Sequence, residues 1–183
     1  MTTTYIALLR GINVGGHRVS MEALRGHFAA LGLQRVRTYI QTGNVFFDAP
    51  ADLDRAQLTA RIEQHLQTAL GYAVPTFLRT TDELAALLAQ APFGPEPAPA
   101  EQRRCLMLLA QPAPTDLALP HRSPKGDYEI VHLSGQAAFV IWHLQDGRPP
   151  ASTAFLDKTL GRLTTTRFVH TAAKILAAAE QTQ

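Results

Sequence analysis

Cysteine is almost absent from this chain, and that scarcity removes two classes of protein at once. One cysteine, Cys105, in 183 residues excludes a disulfide within the chain and a metal site built from several thiolates. It stands in the apolar run CLMLLA at 105–110, where the expected role is a small buried hydrophobe. Lysine is scarce as well, with 3 lysines against 14 arginines and no basic run longer than Arg103-Arg104. The formal net charge is only +2, shared evenly between the two halves. That balance argues against nucleic acid or an anionic membrane as a partner held by bulk electrostatics. No apolar run approaches the roughly 20 residues needed to span a bilayer. The short apolar stretch at 6–9 has no basic segment before it, so it does not read as a secretory leader. A cytoplasmic protein with no membrane partner is therefore expected.

What is present reads as an ordinary globular domain, 46% hydrophobic and 17% charged. A chain of this length buries roughly 70% of its unfolded surface, so it needs no covalent staple. Residues 4–10 are apolar between polar flanks and read as a buried strand. A glycine-rich loop follows. Ser20 is placed to cap a helix whose apolar residues Met21, Leu24, Phe28 and Leu31 share a face, and Gly32 closes it. Residues 36–40 and 45–47 read as strands joined by Gln41-Thr42-Gly43-Asn44, with Gly and Asn supplying the left-handed backbone of a tight turn. A second amphipathic helix is expected from about 52 to 70 and a strand over 73–79. The order β-α-β-β-α-β is that of the split-βαβ, or ferredoxin-like, motif.

The second half reads as a looser repeat of that order. Thr80 and Glu83 are spaced as a capping box for a short helix. The proline-rich stretch 91–100 reads as an extended connector and 111–126 as irregular. Strands are expected over 104–110, 128–133 and 137–144, with a short strand at 163–165 and helices over about 152–160 and 168–179. The expected class is α+β with mainly antiparallel sheets. It comprises a ferredoxin-like half at 1–79 and a degenerate second half at 80–183, the latter containing the connector and a C-terminal helix.

Three stretches carry a resemblance to a known family: LLRGINVGG with Met21 and Leu24, RTYIQTGNVFF, and the closing TTTR-HTAAKIL. Together with Ala91–Phe93 they make the chain, over nearly its whole length, similar to the bacterial domain of unknown function 1697 family. The resemblance implies an α+β fold of two ferredoxin-like units and no established activity. Near the C-terminus, family members share a pattern T-x-R-N-aromatic-polar-T. Thr165, Arg167 and Thr171 match it here, whereas Phe168 and Val169 depart from it and His170 fills the polar position.

The strongest candidate site is the loop after the first strand. Gly11 and Gly16 have the spacing of a phosphate-binding P-loop, but His17 and Arg18 replace its Lys and Ser/Thr. A looser role survives, in which backbone N–H groups and a helix N-terminus favour a small anion. Arg10, Asn13, Gly15, Gly16, His17 and Arg18 would form that site. The plainer alternative is a strand-to-helix connection whose glycines only permit the turn. Secondary candidates are the hairpin residues Gln41, Thr42 and Asn44, and the segment with Arg167, His170 and Thr171, read as a threonine-capped helix start. Strands one and three are expected to be parallel neighbours, which places the hairpin at the far end from the loop and Asp48 near Arg10, as an ion-pair partner that orders the loop.

No enzyme class is indicated. There is no nucleophile elbow, no Ser/His/Asp set, and no cofactor fingerprint. Asp52 and Asp54 are a close carboxylate pair, at a helix start where acids are common anyway. The seven histidines are scattered along the sequence, His132 is expected opposite Ala137, and no metal site is expected. Two alternatives to a small-anion binder remain. One is a nucleic-acid module stacking bases on Tyr5 and Phe46 or Phe47. The other is a protein-interaction module without catalysis. The sequence specifies no oligomeric state.

Overall fold

A computed structural model describes residues 1–94 and 99–181. The described residues form five helices and nine strands in two antiparallel sheets. In chain order the elements are β1 (Thr2–Leu9), α1 (Met21–Ala30), β2 (Gln34–Thr38), β3 (Asn44–Pro50), α2 (Arg55–Leu70), β4 (Thr76–Thr80) and α3 (Thr81–Ala89). There follow β5 (Gln102–Leu109), β6 (His121–Arg122), β7 (Tyr128–Ser134), β8 (Ala137–His143), α4 (Ala154–Leu160), β9 (Thr164–Phe168) and α5 (Val169–Glu180). The chain divides into two units, one of Met1–Ala85 with Lys174–Gln183 and one of Ala86–Ala173. The connector expected over 91–100 lies partly outside the described residues.

The first unit holds a sheet in the order β2-β3-β1-β4. Leu24 and Phe28 of α1 and Leu58, Ile62 and Leu66 of α2 pack with Tyr5, Ala7, Leu9, Val45, Phe47 and Leu78 of that sheet. These are the stripes that helical spacing anticipates. Ser20 caps α1 as expected, whereas α2 starts at Arg55 rather than near 52, with Asp54 as its cap. Ser20 Oγ accepts from Ala23 N, Asp54 Oδ1 accepts from Gln57 N, and Gly71 closes α2 in the left-handed conformation. Thr80 and Glu83 exchange both capping-box bonds, at 2.9 and 3.2 Å.

One expectation about this sheet is wrong. β1 pairs with β3 antiparallel, with Leu8 opposite Asn44 and Thr4 opposite Asp48. The reason is a count of reversals. The α1 crossover keeps β2 parallel to β1, and the hairpin then turns β3 back. Asp48 therefore sits toward the start of β1, away from Arg10. It accepts from Thr4 Oγ1 at 2.9 Å and pairs with Arg35 Nε at 2.7 Å. Arg35 reaches it from an irregular stretch of β2 at φ +48°.

The second unit holds a sheet in the order β6-β7-β8-β5-β9. Leu156 and Leu160 of α4 pack with Cys105, Met107, Tyr128, Ile130 and Val140. Cys105 is fully buried, as expected. The β7–β8 hairpin closes at Ser134 opposite Ala137, so His132 pairs with Phe139 and not with Ala137. The three threonines before α5 do not cap it. Thr164–Thr166 form most of β9, which pairs antiparallel with β5, as β-branched residues readily do on a pleated edge. In α5 the buried positions are Ala172, Ile175 and Ala179.

Candidate functional site

The antiparallel register brings together two segments that the parallel arrangement would separate. Leu9, ending β1, donates its N–H to Gly43 O at 2.8 Å, and Arg10 N donates to Pro75 O at 2.9 Å. The 10–20 loop thus leaves the sheet beside the Gln41–Asn44 turn. Asn13 ties the two. Its Nδ2 donates to Val19 O and to Gln41 O, both at 3.1 Å, while its Oδ1 accepts from Val19 N at 2.8 Å. Asn13 adopts φ +56°, in the left-handed region that asparagine tolerates better than most residues. Gly43 has no room for a side chain, since a Cβ there would lie 2.9 Å from Leu9 Cβ.

The result is an open concavity of about 650 Å³ lined by Asn13, Arg18, Val19, Ser20, Met21 and Gln41. It lies at the N-terminus of α1, where unpaired N–H groups carry partial positive charge. Arg18 Nη1 donates to Asn13 O at 3.4 Å and to His17 O at 3.2 Å, so the guanidinium is braced against its own loop.

The expected site residues separate into groups. Asn13 and Arg18 line the concavity, and Gln41 of the hairpin joins them. Gly15 and Gly16 form the loop tip with positive φ, and a Cβ on either would meet nothing within 4 Å. His17 stacks on Tyr72 with ring centroids 3.7 Å apart, and Arg10 is exposed at the loop's start. Thr42 and Asn44 support the turn from within: buried Asn44 donates to Thr42 Oγ1 at 3.0 Å and to Tyr39 O at 3.1 Å. Arg167, His170 and Thr171 belong to the other unit. Arg167 Nη1 donates to Thr165 Oγ1 at 3.0 Å and to Thr166 O at 2.9 Å, and burial pushes its guanidinium down from the ordinary value. His170 stacks on Phe168 at 5.7 Å.

Val19, Ser20 and Met21 also line the concavity and were not anticipated as ligand contacts. Helix position assigned Ser20 and Met21 only to a cap and a core face. Two exposed aliphatic residues flank the tie, Val14 at 55% exposure and Ile40 at 44%, the latter at φ +50°. Tyr5, Phe46 and Phe47 are buried, so they present no surface for stacking bases. Among the described residues no three His, Cys, Asp or Glu side chains form a group that could hold a metal ion, and no helix is long and apolar enough to cross a membrane.

The family described as protein of unknown function (DUF1697) matches residues 1–139, a span that includes the loop, the hairpin and all of β3. The chain belongs to this family. The match ends before β9 and α5, so the C-terminal threonine–arginine pattern lies outside it. A conserved bacterial protein from Streptococcus pneumoniae has a similar structure, with a TM-score of 0.70 and 22% identity over 99% of this chain and 100% of that one. At that identity the likeness concerns the fold. Among curated proteins none matches the chain. Neither family nor structure assigns a function.

Proposed function

We propose that the protein binds a small anionic or phosphorylated ligand in the concavity bounded by Asn13, Arg18 and Gln41. The observation that carries this reading is the Asn13 side chain, which bonds Val19 and Gln41 at once. It makes the loop, the start of α1 and the hairpin parts of one wall. Arg18 supplies charge: its two bonds both use Nη1, and a guanidinium carries five N–H donors. The first turn of α1 supplies backbone donors. Gly15 and Gly16 give the tip its turn, Arg10 adds positive charge along the same loop, and His17 contributes a ring stacked on Tyr72.

The same reading takes the first unit as a split-βαβ, ferredoxin-like arrangement, supported by its element order and the β2-β3-β1-β4 sheet. It takes the second unit as a degenerate relative and the compartment as the cytoplasm, supported by the single buried cysteine.

Thermal unfolding of the full chain at low salt tests the ligand reading, with inorganic phosphate and a panel of nucleotides and sugar phosphates. At least one anion is expected to raise Tm, with the rise lost in Arg18→Ala and reduced in Asn13→Ala. No shift with any anion, or an undiminished shift in Arg18→Ala, would reject it.

A further inference from the structure

Two histidines far apart in sequence meet between the helices of the first unit. His27 stands in the last turn of α1 and His65 in α2. Their ring centroids are 5.4 Å apart, with the rings inclined at 63°. The Nε2 atom of His65 is buried and makes no hydrogen bond. A buried polar nitrogen without a partner is uncommon in folded proteins and calls for a physical explanation.

We propose that His27 and His65 form a two-histidine site for a borderline transition-metal cation such as Zn²⁺, bridging α1 and α2. The spacing suits one ion shared by two imidazoles. A Zn–N bond is about 2.0–2.1 Å and a ring nitrogen lies about 1.1 Å from its ring centre, so near-tetrahedral ligation separates the centroids by about 5 Å. Imidazole pairs select zinc, copper or nickel over magnesium and calcium, which prefer oxygen ligands. Both residues are of intermediate exposure, so water can complete the coordination sphere and the ion can exchange. Burial, and next the neighbouring His65, hold the His27 imidazole below its ordinary value. It is therefore neutral, with a lone pair available, at neutral pH. The ligands come from two well-formed helices packed on one sheet, which limits the rearrangement that binding requires.

The test is titration of the full chain with Zn²⁺, following the ring resonances of all seven histidines by NMR and the affinity by competition with a chromophoric chelator. The expected result is that His27 and His65 shift together and ahead of the others. Loss of a partner behind a metal ligand alone weakens binding by about 10–100-fold, so removing a ligand should weaken it at least about tenfold. His27→Gln and His65→Gln should each do so, while His121→Gln should not. Magnesium should produce no shift. Wild-type affinity in His27→Gln, the more conservative of the two changes for folding, would overturn the proposal. So would shifts spread equally over other histidines, or an equal response to magnesium.

Discussion

A methyl group on Gly43 would come within 2.9 Å of Leu9 Cβ and 3.2 Å of Ile12 Cβ, at a backbone φ of +76°. Both are Cβ atoms of buried residues, fixed to the backbone rather than flexible ends. Gly43→Ala is therefore expected to cost about 2–4 kcal/mol, because steric overlap adds to left-handed strain. Gly15→Ala, with φ +59° and open space around it, should cost only about 1–2 kcal/mol. Urea denaturation of the two variants measures the difference. Ile40 offers the opposite sign. It is a β-branched residue at φ +50°, 44% exposed, so its side chain contributes little burial and its backbone is strained. Ile40→Asn should stabilise the chain by about 0.5–1 kcal/mol, read from the same denaturation curves. The glycines were legible as turn residues from sequence alone. The demand for no side chain at Gly43 was not, because Leu9 and Ile12 reach it only once β1 lies beside the hairpin.

The helices largely announced themselves, because caps and apolar spacing are local signals: Ser20 and the Thr80–Glu83 box act as their positions suggest. Strand direction is not local, and the antiparallel β1–β3 pairing moved Asp48 from Arg10 to Arg35. The pairing of His27 with His65 was hidden for the same reason. Charge placement shows how one element holds another. Arg37 of β2 donates to Ala178 O, Ala179 O and Gln181 O at 2.8–3.1 Å, satisfying carbonyls at the end of α5. Its guanidinium also lies 5.5 Å over the Phe46 ring. Arg37→Ala should cost about 1.5–3 kcal/mol and speed amide hydrogen exchange in the last turn of α5. Arg37→Lys should restore only part, since an ammonium lacks the planar fork. The α1–α2 contact brings a pH dependence. His27 has a lowered folded-state pKa, so its contribution is present above about 6.5 and is lost as pH falls below it, where the unfolded chain binds the proton first. His27→Gln should flatten that part of the stability profile.

At the scale of the molecule, unit boundaries fall inside α3 and α5, which no composition shift could reveal. The C-terminal residues 174–183 belong with the N-terminal unit and include buried Ile175 and Ala179. Cys105, buried in β5 of the other unit, reports on that unit's opening. Burial pushes its thiol well above the ordinary range, so little thiolate exists at pH 8 in the folded chain. Labelling by a disulfide reagent should be slow in buffer and should accelerate in urea in step with loss of the second unit's structure. The raised pKa also means that stability contributed by this group falls as pH rises above about 8.5, where the unfolded thiol ionises first. The Asn13 tie has a consequence for how this molecule can vary. It grips residue 41 by the main-chain carbonyl, an atom every amino acid provides. The side chain at 41 can therefore be exchanged without loosening the scaffold, which would make that position a dial for the preference of the proposed ligand site, while position 13 is held to its amide.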